Sequence, residues 1–431
     1  MNERMRIDNA MLLDASGGQH KTSLLIGDGQ ILAMGDAARV ADAERIVDAA
    51  GDLLVPGFID LACHLREPGP DVKGTLASET RAAARGGFTT VCAMPDTSPV
   101  NDSGAVTSLI RDLAERQGAT RVLPIGAMTR GLNGELLSDM AGLQRAGCVA
   151  LSNAEGGVIN ARVLRRCMAY ARTFNIPLFL RPENKALAAD GCAHEGAMAT
   201  RLGLPGIPEV AETTAVSELV LLAEETGARL HLSQISCARS VELLRWARDR
   251  GLPVTADVAM HHLVFTDAVL DGFDSRFHCR PPLRSARDRD ALREAVRDGV
   301  ISAIVSQHQP QDAASKHAPF GETAPGLSTA EIILPLGLTL VEAGVLSLAQ
   351  LVSALTRGPA QVLAQEAPRV AVGAPADLVL VAQGQPWQVT SDALISVGKH
   401  SPALGMTLPG RVRLTLCGGR ITWDDARGGA M

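Results

Sequence analysis

Hydrophobic and polar positions change rhythm twice along the chain. Residues 1–55 carry short apolar runs, "RIDNAMLLD", "KTSLLIGDGQILAMG" and "RIVDAAGDLLV", broken by Gly and Asp turns, which predicts β-strands. The same character returns near the C-terminus in "ADLVLVAQ" and "GRVRLTLCGGRITW". Between these ends, strand-like runs near 57–64, 88–94, 121–127, 148–152, 177–181, 229–234, 253–258 and 301–306 alternate with helix-like runs. "TLASETRAAARGG" offers a Thr to cap, helix formers inside and a Gly pair to stop it. "EVAETTAVSELVLLAEETG" and "SVELLRWARDRG" place apolar residues at helical spacing before a terminal Gly. Eight strand–helix units in succession argue for a parallel sheet closed on itself. The predicted architecture is α/β: a TIM-type (β/α)8 barrel over 56–365, with a small β-sandwich domain built from both termini, 1–55 and 366–431.

Composition narrows the class. With 46% hydrophobic and 20% charged residues over 431 positions, the chain has ample material for a core and reads as soluble and globular. A net charge of −6 gives no reason to expect binding to nucleic acid or a membrane surface. The apolar runs are too short to span a bilayer, and "MNERMRIDNA" has no apolar core of a signal segment, so a cytoplasmic protein is expected. The eight cysteines (63, 92, 148, 167, 192, 237, 279, 417) form no CxxC pair and read as small buried hydrophobes in a reducing compartment.

Barrels of this type gather functional groups at the C-terminal ends of their strands. In "IDLACHLREPG", alternation puts Asp60, Ala62, His64 and Arg66 on one face of the first strand. A His-x-His pair there would suit zinc, but Ala62 stands where one imidazole would be and His64 is alone.

Five stretches, "PGFIDLACHLREPG", "RAAARGGFTTVCAMPDTSPV", "HEGAMATRLGLPGIPEVAE", "RPPLRSARDRDALREAV" and "APFGETAPGLSTAE", resemble in order the running text of bacterial class I dihydroorotases, in the amidohydrolase superfamily. The resemblance extends to "ADLVLV…GKHSPALGMTLPGRV" and so covers essentially the whole chain. It implies hydrolysis or closure of the cyclic amide of dihydroorotate by a metal-activated water, with histidines and a carboxylate as ligands and a carboxylate base.

Carried over residue by residue, the family's machinery is largely missing. Its His-x-His pair becomes Ala62 and His64, whereas the arginine that grips the substrate carboxylate is kept as Arg66. Asp96 replaces the Asn of "MPNT", and Asn153 falls where the ligating Asp of "DDG" would be, with Glu155 open as a shifted carboxylate. Arg181 and Gln234 replace two ligating histidines, and Arg280 replaces the substrate-binding Asn before "PPLR". In the counterpart of "TDHAPH", Gln307 replaces the general-base Asp and Gln311 the final His, while His308 matches the position beside the base. Ala has no lone pair to offer, amides are weak neutral donors, and a guanidinium does not give up its proton to ligate.

Three readings follow. In the first, the chain is a catalytically inactive, cofactor-free dihydroorotase-like subunit. The degraded motifs "DLACHLREPG", "MPDT" and "SQHQPQ" resemble the non-catalytic homologues that hold aspartate transcarbamoylase assemblies together, which implies that enzyme's catalytic chain as partner in a homo- or hetero-oligomer. In the second, it is an active dihydroorotase or related cyclic amidohydrolase that binds zinc through relocated ligands drawn from His64, Glu155, His231, His261, His262 and His308. Alternation turns His231 to the strand face opposite Gln234, "MHHL" reads as structural, and "CVALSNAEGG" lacks the lysine expected of hydantoinase-like members. In the third, Arg66, Arg181 and Arg280 converge to bind a carboxylate or phosphate ligand, against the simpler expectation that they pair with Glu67, Asp96 and Glu183. The loop Gln309–Gly326 is expected to have no catalytic lid role, and Trp246, Trp387 and Trp423 to serve packing.

Overall fold

The eight barrel strands form where the hydrophobic runs place them, most of them trimmed by a residue or two at the ends. The computed structural model describes residues 4–14, 16–157 and 160–427, so the outer limits of the terminal segments, residues 1–3 and 428–431, lie outside the described residues. The strands are Phe58–Cys63, Phe88–Ala93, Arg121–Ala127, Ala150–Ser152, Leu178–Leu180, Leu230–Leu232, Val254–Ala259 and Ala303–Val305, in consecutive order and all parallel. A parallel bridge between Cys63 and His308 brings the last strand back beside the first. Apolar side chains from seven of the strands, among them Leu61, Ala62, Cys92, Ile125, Phe179 and Val305, share one interior cluster. Helices cover the outside. The first, Leu76–Arg85, has Thr75 as N-cap in a capping box with Ser78 and stops at Gly86, as its sequence predicts. Glu209–Thr226 ends at Gly227 in the left-handed conformation (φ 67°), a backbone state that glycine adopts without a Cβ clash.

The terminal strands build one eight-stranded sheet from both chain ends. Its order runs Arg420–Asp424, Arg411–Cys417, Leu378–Ala382, Leu53–Pro56, Met5–Leu13, Gln19–Gly27, Gln30–Met34, with Arg45–Asp48 beside Met5–Leu13. Continuous apolar runs here have a physical reason: both faces are buried. Leu378 and Leu380 point into the sheet's own core with Leu54, Leu414 and Leu416. Val379 and Val381, one residue out of phase, pack with Leu53 and Val55 onto the barrel's outer core. Within 366–431 the stretch 387–408 leaves this sheet, and its short strands Trp387–Gln388 and Thr407–Leu408 pair with each other.

Arg85, at the end of the first barrel helix, locks the two units together. Its guanidinium lies over the rings of Trp387 (5.0 Å) and Trp423 (5.3 Å), and its Nη1 is 2.8 Å from the Glu331 carboxylate and donates to the Ala393 carbonyl. Glu331 also accepts the N–H groups of Ile395 and Ser396. Two of the three tryptophans thus pack around one cation. Truncating Arg85 strands a buried carboxylate, so Arg85→Ala is expected to cost about 3 kcal/mol. Urea unfolding followed by tryptophan fluorescence measures it, and a loss below about 1 kcal/mol would show that the contact does not lock the units.

Candidate functional site at the barrel mouth

The mouth is framed by strand ends whose backbone is unusual. Arg66 (φ 65°), Ala154 (φ 46°), Gln234 (φ 58°) and Gln307 (φ 51°) all occupy the left-handed region, which costs a non-glycine residue about 1 kcal/mol. These turns decide where side chains go, and they end the period-2 alternation of the strands. His231 and Gln234 show the effect. The strand stops at Leu232, so alternation does not reach Gln234, and both residues meet the same carboxylate. His231 Nε2 lies 2.8 Å from Asp257 Oδ2, and Gln234 N–H donates to Asp257 Oδ1 at 2.7 Å. The expectation that His231 faces away from the Gln234 side is therefore corrected: its ring stacks beside Phe179, a barrel-interior side chain, and is fully engaged by Asp257 and Thr255.

The replaced positions do come together, and they bond to one another. Arg181, buried, sets Nη1 3.1 Å from Glu155 Oε1 and Nη2 3.9 Å from Glu183 Oε1, and Nη1 donates to the Arg280 carbonyl. Arg280 Nε in turn donates to Glu183 Oε2 at 2.8 Å. Burial alone would push Glu183 up, but the Arg181 charge and the Arg280 hydrogen bond outweigh it and hold the carboxyl below its usual range. Asn153 Oδ1 accepts the Arg181 N–H at 3.1 Å, and its Nδ2 donates to the Gly157 carbonyl. Gln307 Nε2 donates to Gln234 Oε1 (3.0 Å) and to the Arg280 carbonyl (2.8 Å). Gln309 Nε2 donates to Glu155, which ties the start of the 309–326 loop to the mouth, and Gln311 Nε2 donates to the Pro325 carbonyl, which joins the loop's two ends.

On the first strand, Ala62 is buried in the interior cluster, its methyl replacing any donor. His64 Nδ1 sits 2.9 Å from Asp96. Burial would raise Asp96, but the charge and hydrogen bond of His64 and the charge of Arg66 bring it down to about 2. Arg66 makes neither of its expected ion pairs. Glu67 instead accepts Leu76 N–H at the start of the first helix, and Arg66 Nε donates to the Pro310 carbonyl at 2.9 Å. Among the described residues its buried Nη2 has no hydrogen-bond partner. Two of the three arginines thus behave as local pairs, with Glu183 shared, and Arg66 does not. Sequence reading named Glu183 only as a neighbouring acid. Its spacing of two from Arg181 in "LRPEN" was the available signal.

Zinc does not fit these positions. Ala62 offers nothing, Arg181 brings a fixed positive charge, and Asn153 and Gln234 have their oxygens engaged. Glu155, the carboxylate left open as a substitute, is paired to Arg181. Ligation at this place is left to His64 Nε2, short of the about three protein ligands that a catalytic zinc needs.

Comparison with known proteins agrees with this geometry on fold and family. The model of the Dihydro-orotase-like family matches residues 51–240. A dihydroorotase-like protein of Pseudomonas aeruginosa is 48% identical over 418 residues, covering 97% of each chain. A dihydroorotase of Anaeromyxobacter dehalogenans is 42% identical over 428 residues, covering 99% of each. Among solved structures, an L-hydantoinase (dihydropyrimidinase) from Arthrobacter aurescens superposes with a TM-score of 0.87 at 23% identity, over 98% of this chain and 96% of that one, a likeness of fold.

The Asp96 pair sets a pH dependence. A carboxyl held at about 2 in the folded chain, against 3.8 ordinarily, adds stability that is complete above its unfolded value and is lost as pH falls through about 2. The loss amounts to about 2 kcal/mol. In urea unfolding at a series of pH values, Asp96→Asn is expected to remove that share of the acid dependence. A variant with the wild-type slope would rule the pair out as its source.

Proposed function

The chain belongs to the dihydroorotase-like family, and from that premise we propose that it is a catalytically inactive member serving as a structural, assembly subunit in pyrimidine biosynthesis, with the catalytic chain of aspartate transcarbamoylase as its partner. One observation carries the inactive reading: Arg181 stands at a ligand position and is held there by Glu155 and Glu183. A metal would have to displace a guanidinium from two carboxylates and then find ligands among amides and a methyl group. The proton-accepting position fares no better, because Gln307 has no basic lone pair and its amide nitrogen is committed to Gln234 and Arg280. The partner reading rests on the resemblance of "DLACHLREPG", "MPDT" and "SQHQPQ" to the non-catalytic homologues that join aspartate transcarbamoylase. What the chain keeps in this role is its shape: a barrel whose mouth is closed by internal ion pairs.

Two measurements test the two halves separately. Purified chain supplied with Zn²⁺ is expected to show no dihydroorotase turnover in either direction, and turnover that Ala substitution of His64 abolishes would overturn the inactive reading. Co-expression with the transcarbamoylase chain is expected to give a complex that survives sizing. Failure to co-purify, with the transcarbamoylase assembled and active alone, would remove the assembly role whatever the first assay gives.

Restoring one ligand is expected to do harm. Arg181→His leaves Glu155 and Glu183 without their shared cation, costs about 3 kcal/mol in chemical unfolding and confers no turnover. A variant of wild-type stability would mean that the network at the mouth is not what holds Arg181.

A further inference from the structure

Beside the mouth lies a group of side chains that the ion-pair network does not absorb. The short helix Met260–Val264 follows the seventh barrel strand and carries His261 and His262, and Cys279 approaches them from the loop before the Arg280–Pro281 peptide. One ligand atom from each, two imidazole nitrogens and a sulfur, lie within 4.8 Å of one another. Among the described residues this is the one group of three His, Cys, Asp or Glu side chains so placed. All three are buried, at 1%, 2% and 4% exposure.

Their hydrogen bonding is what sets them apart. A buried imidazole ordinarily has partners at its nitrogens, because an unmet polar atom in a dry interior costs about 1–3 kcal/mol. The other buried histidines follow the rule: His64, His231, His278 and His308 each bond to a neighbouring side chain. Among the described residues His261 has no hydrogen bond of good geometry at either nitrogen and meets only Gln307 in a looser contact, and His262 has none at Nδ1, its Nε2 reaching the Pro282 carbonyl at 3.3 Å. A fourth group faces the same place. Gln307 spends Nε2 on Gln234 and Arg280, and its buried Oε1, without a well-formed hydrogen bond among the described residues, is left to the looser contact with the His261 ring, which favours the imidazolium.

We propose that His261, His262 and Cys279, with Gln307 Oε1 as a neutral fourth donor, form a buried structural zinc site. Two nitrogens and one sulfur at such spacing, with an amide oxygen beside His261, suit a tetrahedral, borderline-soft cation, and calcium or magnesium would demand several oxygens instead. Burial favours the neutral imidazoles, holding His262 down to about 4 and His261 well below its ordinary value, so both lone pairs are free at neutral pH. Cys279 is pushed up by burial to about 12, with Lys316 and Arg284 drawing it back, so it is a thiol until metal arrives. Binding then forms a Zn–S bond and releases one proton to solvent. Apart from Gln307, which stands at the family's base position, the site uses none of the family positions Ala62, His64, Asn153, Arg181 and Gln234, and its service is to cross-link the helix after strand seven to the loop that carries Arg280.

Cobalt(II) reads the site directly, because a cobalt–thiolate bond gives a charge-transfer absorption in the near ultraviolet beside the visible bands of tetrahedral cobalt. The full chain, loaded with Co²⁺, is expected to bind close to one equivalent with both features, and Zn²⁺ is expected to displace it. C279S is expected to lose the near-ultraviolet band and to hold metal at least about tenfold more weakly, whereas H64A, at the family position, keeps both. Cobalt bound without the thiolate band, retention unchanged in C279S, or no metal held by wild type would each overturn the site. Should C279S fail to fold, the wild-type band decides: its presence together with loss of metal in H261Q supports the site, and its absence overturns it.

Discussion

The barrel depends on one buried contact, the 2.7 Å bond between His308 and Glu79, both fully shielded from water. His308 Nδ1 accepts the N–H groups of Thr329 and Ala330, so the ring proton sits on Nε2 and is donated to the carboxylate. Glu79 also accepts the Val397 N–H. Four distant pieces of chain therefore meet at this pair: the first helix, the end of the last strand, the loop after it, and a C-terminal segment. Burial pushes Glu79 up, yet the bond and charge of His308 and the bonds from Ser396 and Val397 outweigh it and keep it below its usual range. The seam beside this contact is completed by His64 N–H on the His308 carbonyl, and by Asp60, which accepts both the N–H and the hydroxyl of Ser306. Of the histidines considered as relocated ligands, His308 is thus the one most firmly committed to structure.

The same electrostatic rule shapes the mouth. Carboxylates withdrawn from water need a cation close by, and in this barrel the cation is part of the chain. Arg181 stands between Glu155 and Glu183, Arg280 completes Glu183, and His64 answers Asp96, with the charge of Arg66 acting on it without an ion pair. A guanidinium differs from a metal ion in two ways that matter here. It is fixed in place by its own backbone, so it cannot be exchanged or removed. It also offers no empty coordination position where a water could be held and acidified. The arginines thus balance the buried carboxylates of the mouth and, on the proposed reading, leave it chemically quiet for the same reason.

Much of this was legible in the sequence, and the limits have physical causes. Runs such as 121–127 and 88–94 are long and apolar enough to fix strands and their order, and Thr75 and Gly86 mark the first helix at both ends. The double-sided burial of Leu378–Ala382 was visible as a run without alternation. Side-chain direction at the strand ends was not. Several strands are three residues long, and the next residues turn left-handed, so counting by twos misplaced His231 against Gln234. Nor could spacing say that Glu67 would cap a helix instead of meeting Arg66, because that choice is made by the N-terminus of a neighbouring helix, whose free N–H groups and dipole attract a carboxylate. Unbonded buried atoms, such as those of His261, have no sequence signature at all, since they are defined by what fails to come near.

The frame of the mouth and its chemistry are therefore separable. The left-handed backbone at Arg66, Ala154, Gln234 and Gln307 persists because the seam and the packed strands over-determine it, and the small strain at each position is carried by the whole barrel. Nothing in that frame requires the side chains it presents to ligate or to accept protons. Given amides and arginines, they satisfy one another across the mouth with the same main chain in place. The barrel's closure does not depend on the replaced positions, since the interactions that close it, Glu79 with His308 and Asp60 with Ser306, lie outside that set. On this footing the proposed assembly role asks nothing of the mouth except that it hold its shape, and ion pairs whose cations are part of the chain do that without a bound metal.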